Sequence, residues 1–187
     1  MNKKGKSLTE KKISSKLVHK GKSFSFYSDE ITLPNGNTSK RDYVIYPEAC
    51  AVLPFIKNDY KEIVMVRQYR YPIDQMIYEI PAGKVDNPGE DKKACALREL
   101  LEETGYKPGK INLLLSYYPT AAYSTEKLYI FYATELIKEA QNLDEDEFLD
   151  VVILPYNDVL SMIKKGDIVD SKTILSLMYF ENYINNK

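Results

Sequence analysis

Apolar positions along this chain change their spacing several times, and each change marks an element. Residues 1–15, MNKKGKSLTEKKISS, are polar and without period, and read as a flexible basic tail. From Leu17 to Leu33 an alternation appears, clearest at Ser23-Phe24-Ser25-Phe26-Tyr27. It stops at Pro34-Asn35-Gly36-Asn37, where Asn-Gly is a strong hairpin signal. Arg41 to Tyr46 reads as the return strand, so residues 16–47 are expected to form a small antiparallel β module. After Ala49 the alternation gives way to nearly continuous apolar runs, AVLPFI and EIVMVRQYR, with Asn58-Asp59 turning between them. Runs of this kind suit strands covered on both faces. Met76–Ile80, INLLLSYY (111–118), KLYIFYATEL (127–136) and FLDVVILP (148–155) are read as further strands.

Helical spacing governs three segments. The first starts after a Gly/Pro-rich loop, with Asp91 as N-cap and Gly105 as its stop. Ala94, Leu97 and Leu101 are expected to be its buried side, while Glu99, Glu102 and Glu103 share one face at i, i+3 and i+4. The other two run from about Asn157 to Lys165 and from about Ser171 to Asn182, the last burying Ile174, Leu175, Leu177 and Met178. Strands around a central helix, with more helices at the end, point to the α/β class. The expected architecture is an α/β/α sandwich with a mixed sheet over residues 48–187, preceded by the β module.

Composition narrows the function classes. A chain of 187 residues suits one main domain, and a net charge of −1 argues against a general nucleic-acid or membrane-surface binder. Cys50 and Cys95 make no disulfide framework, no apolar run reaches the length of a membrane span, and the Lys-rich N-terminus lacks a signal-peptide core. These features fit a reduced, cytoplasmic setting. His19 is the single histidine, which excludes chemistry built on several.

Three like charges on one helical stripe repel each other, and an isolated ExxEE is more often a solvated acidic face. A hard divalent cation reverses that sign, because Mg²⁺ takes carboxylate oxygens. The neighbours favour the second reading. Gly83 opens the preceding loop, Glu90 closes it, Arg98 adjoins Glu99, and Gly105 follows Glu103. This ensemble resembles the Nudix box, G-x5-E-x7-R-E-U-x-E-E-x-G-U, with U aliphatic. There are two departures: one extra residue around Asn87-Pro88, in a loop where added length is cheap, and Tyr106 in place of an aliphatic.

The resemblance extends over roughly residues 40–185. RDYVIYPEACAVLP, VRQYRYP, YEIPAGK and DEDEFLDV look like the ADP-ribose pyrophosphatase branch of the Nudix hydrolases, with Tyr46 where that branch often has His. The resemblance implies Mg²⁺-dependent hydrolysis of the diphosphate bond of ADP-ribose or a related ADP-sugar, giving AMP and a sugar phosphate, with Mn²⁺ as an alternative metal. It implies metal ligation by the Ala82 carbonyl, Glu99, Glu102 and Glu103, with Arg98 orienting the glutamates and Gly83 and Glu90 supporting them. A plain helical ion pair between Arg98 and Glu102 is compatible with that role. Glu147 matches the general base, with Asp144, Glu145 and Asp146 as rivals and a solvated acidic turn as the plainer reading. Arg70 matches a phosphate-binding arginine, Glu79 a residue that contacts ribose or an arginine, and Arg41 a residue that packs on adenine. Tyr27 is the weaker candidate for the other side of the base. Members are commonly homodimers that exchange the N-terminal module. The branch's Ser-Pro-Gly turn is replaced by Thr120-Ala121-Ala122, with Glu126 retained, which loosens the link to ADP-ribose itself. Another nucleotide sugar or a nucleoside triphosphate is the second reading, and a non-catalytic nucleotide sensor the third.

Overall fold

The computed structural model describes residues 7–85, 89–143, 145 and 147–185. The chain divides into two compact units. One is built from the residues up to Pro47 together with Thr120–Glu126, and the other from the remainder.

The first unit is an antiparallel meander of β1 (Lys11–Lys20), β2 (Ser25–Thr32) and β3 (Thr38–Ile45). The hairpin closes at Asn35-Gly36, where Gly36 takes φ 90° and donates its N–H to the Leu33 carbonyl at 2.9 Å. β1 begins at Lys11, so residues 11–15, expected as tail, are strand. They pair with β2, for instance Lys12 with Ile31 and Ser15 with Asp29. Every residue of β1 is exposed, so no apolar alternation could announce it. Residues 120–126 run beside the end of β3: Val44 donates to the Tyr123 carbonyl at 2.8 Å and accepts from the Thr125 N–H at 3.0 Å. The loop that departs from the branch pattern therefore belongs to this unit.

The second unit has a mixed sheet in the order β7-β4-β9-β8, made of β4 (Ala49–Pro54), β7 (Ala82–Lys84), β8 (Tyr106–Tyr117) and β9 (Leu128–Lys138). Its β4–β9 pair is parallel. A second, antiparallel sheet joins β5 (Glu62–Arg70), β6 (Gln75–Glu79) and β10 (Leu149–Pro155), with β5 central. Three helices complete the unit: α1 (Lys92–Thr104), α2 (Tyr156–Lys165) and α3 (Ser171–Phe180).

Strand β4 shows why the unit is layered. Its residues alternate by face, as strand geometry requires. Cys50 and Val52 pack with Cys95, Ala96 and Leu100 of α1. Ala51 and Leu53, continued by Phe55, pack with Ile63, Met65, Val159, Leu177 and Phe180. Helix, sheet and helices thus form the sandwich that the runs of apolar residues imply.

The buried faces of two helices differ from expectation. On α1 the buried stripe is Cys95, Ala96 and Leu100 with Glu99 and Glu103, whereas Ala94 is exposed and Leu97 and Leu101 are half-buried. The helix packs one edge of its acidic face inward. On α3, Leu177 is buried as expected, but Met178 is exposed, Ile174 and Leu175 are half-buried, and Thr173, Ser176 and Phe180 are fully covered. Two of those covered side chains are polar, and their hydrogen bonds make that burial affordable. The Thr173 hydroxyl donates to Asp170 at 2.6 Å, and the Ser176 hydroxyl donates to the Lys172 carbonyl at 2.5 Å.

Candidate active site

Helix α1 carries the acidic cluster on a well-capped frame. The Asp91 carboxylate accepts from the Ala94 N–H at 2.9 Å, and Gly105, at φ 67°, returns its N–H to the Leu101 carbonyl at 2.8 Å. Both ends are therefore fixed, and the glutamates about two and three turns along are held in register.

Strand β7 lies against these glutamates. The Ala82 N–H donates to Glu103 Oε2 at 3.0 Å. A Cβ on Gly83 would stand 2.0 Å from the Glu99 carboxyl carbon, so only glycine lets this backbone approach the carboxylate so closely. Glu99 is 8% exposed and Glu103 is 3% exposed. Burial pushes the Glu103 carboxyl up to about 8. The Ala82 hydrogen bond opposes the rise, and the charges of Glu99 and Glu147 add to it.

Arg98 ties the cluster together. Its Nη1 donates to Glu99 at 2.7 Å and to Glu102 at 3.0 Å, and its Nη2 donates to the Lys84 carbonyl at 3.0 Å. Glu90 lies 3.6 Å from its Nε. The helical ion pair with Glu102 is present, and the same guanidinium also holds Glu99 and the Lys84 carbonyl. With Glu99 and Glu102 turned onto the guanidinium, no group of three or more metal-ligating side chains converges among the described residues. The donor chemistry still suits a hard cation: acidic oxygens outnumber the one arginine, and two of the carboxylates are nearly buried.

Glu147 precedes β10 and is half-buried, with its charge acting on Glu103. Its rival Glu145 is exposed, whereas Asp144 and Asp146 fall outside the described residues, as does the insertion at Asn87-Pro88.

Arg70 and Glu79 meet across the β5–β6 pair. Arg70 donates from Nε at 2.5 Å and from Nη2 at 2.7 Å, a forked pair on a carboxylate that is only 1% exposed. Lys172, in the first turn of α3, bonds the same carboxylate and lies 3.1 Å from Asp170. Burial alone would raise the Glu79 carboxyl; the Arg70 hydrogen bond and the Lys172 and Arg70 charges outweigh it and hold the group below its ordinary value. Lys172, Asp170 and Thr173 did not stand out in the sequence. An Asp placed before an apolar helical run was the one available signal, and it reports a cap rather than a site.

Arg41 and Tyr27 belong to the first unit. Arg41 forms an ion pair with Glu10, its Nε donating at 3.0 Å, and remains half-exposed. Tyr27 stacks on Tyr43 with centroids 5.9 Å apart, and Tyr43 donates to the buried Asp29 at 3.0 Å.

A model of the NUDIX domain matches residues 46–177. The chain therefore belongs to the Nudix hydrolase family. It is 39% identical over 178 residues to an ADP-ribose pyrophosphatase of Bacillus subtilis, a match covering 94% of this chain and 95% of that protein. It is 42% identical over 179 residues, 95% of each chain, to a methanol dehydrogenase activator of Bacillus methanolicus. A GDP-mannose pyrophosphatase of Salmonella typhimurium is 30% identical over 81% of this chain and 84% of its own length. A crystal structure of an ADP compounds hydrolase superposes with a TM-score of 0.85 over 97% of both chains at 22% identity, a likeness of fold.

Proposed function

We propose that the protein hydrolyses the diphosphate bond of ADP-ribose or a related ADP-sugar, giving AMP and a sugar phosphate. The observation that carries this reading is the complete set of Arg98, Glu99, Glu102 and Glu103, with Glu99 beside Gly83, Glu103 on the Ala82 N–H, and Arg98 bonded to Glu99 and Glu102. Its support is the near end-to-end similarity to an ADP-ribose pyrophosphatase.

In this reading the Ala82 carbonyl, Glu99 and Glu103 hold Mg²⁺, with Glu102 contributing directly or through water. The bound cation supplies charge neutralisation at the phosphates and activation of water. Arg98 keeps the glutamates in place, and Gly83 from β7 and Glu90 from the loop support it. Arg70 binds a phosphate, its fork held by Glu79. Water attacks one phosphorus in line with the departing phosphate oxygen, and Glu147 takes the water's proton. Arg41, and more weakly Tyr27, takes the adenine in a homodimer that shares its N-terminal modules. Two buried free cysteines suit a cytoplasmic setting.

A second reading moves specificity to another nucleotide sugar. It is favoured by the replaced turn at Thr120–Ala122 and by the similarity to a GDP-mannose pyrophosphatase. A role in regulating another enzyme has the methanol dehydrogenase activator as its support, and would be compatible with an intact hydrolase.

The test is product analysis with Mg²⁺ and a panel of ADP-ribose, ADP-glucose, GDP-mannose, NADH, diadenosine polyphosphates and nucleoside triphosphates. AMP and ribose 5-phosphate from ADP-ribose should form fastest. Faster GMP release from GDP-mannose would transfer the assignment to the second reading. Nucleotide binding with no turnover across the panel would overturn the hydrolase function.

A further inference from the structure

Lys172 is buried where a lysine has little reason to be. It occupies the first turn of α3, and its side chain is 11% exposed. A cation there is disfavoured twice: the helix dipole opposes positive charge at an N-terminus, and burial strips its hydration. Helix stability therefore does not account for it. Its two partners do, Asp170 at 3.1 Å and the buried Glu79.

Glu79 is the point where two cations compete. Its Oε2 accepts from Arg70 Nη2 at 2.7 Å and also from Lys172. Its Oε1 accepts from Arg70 Nε at 2.5 Å. Among the described residues Glu79 is the one hydrogen-bond partner of Arg70, whose side chain is 42% exposed. A guanidinium has five N–H donors, so those not used on Glu79 remain for a phosphate. The next residue along is anchored as well: the Ile80 N–H donates to the Thr173 hydroxyl oxygen at 2.9 Å. The first turn of α3 thus grips the last residue of β6 and the residue after it, directly before the turn through Pro81 that places Ala82 and Gly83 against the glutamates.

We propose that Lys172 is a positioning residue for substrate binding: by sharing the Glu79 carboxylate it loosens the hold of Glu79 on Arg70 and keeps the guanidinium available to the diphosphate. This rests on the reading of Arg70 as the phosphate ligand. With Lys172 removed, the whole charge of Glu79 falls on Arg70 and draws it away from substrate. With Asp170 neutralised, Lys172 belongs wholly to Glu79 and Arg70 is released further. The two changes act on KM with opposite signs, which a purely structural lysine would not do.

The experiment compares Lys172→Met, Lys172→Arg and Asp170→Asn with the wild type, using whichever diphosphate of the panel the wild type cleaves fastest. Asparagine keeps the helix cap. Lys172→Met should raise KM about tenfold with kcat within about threefold, as expected for loss of ground-state binding. Lys172→Arg should bring KM back to within about threefold, and Asp170→Asn should lower it about twofold. A lower melting temperature for Lys172→Met with KM unmoved would make the lysine structural and overturn the inference alone. Should Lys172→Met fail to fold, an unchanged or raised KM in Asp170→Asn would overturn it equally. A wild type that cleaves no diphosphate would remove the functional reading and the inference together.

Discussion

Two buried carboxylates in the second unit, Glu79 and Glu103, have nearly the same exposure, 1% and 3%, yet their pKa values move in opposite directions. Glu79 meets a forked arginine and a lysine, and is held below the ordinary carboxylate value despite its burial. Burial pushes Glu103 up to about 8; the charges of Glu99 and Glu147 add to the rise, and the Ala82 N–H and the Lys172 charge oppose it without cancelling it. Burial therefore sets the stakes, and the neighbouring charge decides the outcome. One region pairs its acids with cations of its own. The other carries an excess of acid that calls for an external cation.

The comparison can be tested from both sides. The largest effect is expected from Glu99→Gln, which removes one of the charges proposed to bind metal from the unbalanced region. Turnover should fall at least about a thousandfold while the circular-dichroism spectrum and melting temperature stay near wild type. Retained turnover would remove Glu99 from the metal assignment. Next is Glu79→Gln in the balanced region, which leaves Arg70 without its buried anion and Lys172 with Asp170 alone. Urea unfolding should show a loss of about 4 kcal/mol. A loss below about 1 kcal/mol would mean the network is not held by charge.

The smallest effect has the most telling sign. A carboxyl whose folded pKa is raised keeps its proton longer in the native state than in the unfolded one. The metal-free protein should then lose stability as pH rises from the ordinary carboxylate range to about 8. Glu103→Gln should flatten that dependence and gain about 3 kcal/mol at pH 9 without metal. Melting curves in chelator between pH 5 and 9 would decide it, and parallel curves for the two proteins would contradict the raised pKa. Glu79 should behave in the opposite sense, contributing stability that disappears only as pH falls through its lowered value.

How far the sequence could be read depended on the range of the interaction concerned. Helix α1 was legible end to end, because Asp91 and Gly105 act on neighbours within a turn. The box residues were legible for the same reason, with one error: acidic residues were placed away from the core, when Glu99 and Glu103 are among the most buried positions of the helix. What hid this was Gly83, a residue with no side chain whose meaning depends on what lies above it. Strand β1 began earlier than its pattern suggested because an exposed strand has no apolar face to display. Lys172 was out of reach altogether. Its partner Glu79 is 93 residues away, and no local spacing reports a contact of that range.

The first unit is discontinuous in the chain. A fragment ending at Pro47 would lack the Tyr123 carbonyl and the Thr125 N–H and hydroxyl that complete Val44 and Tyr46. The end of the module's last strand is completed some eighty residues later by two main-chain bonds and the Thr125 hydroxyl, so residues 38–47 and 120–126 form one structural piece. A chimera that borrows a relative's N-terminal module should carry both pieces, and the altered Thr120-Ala121-Ala122 turn travels with the module rather than with the box.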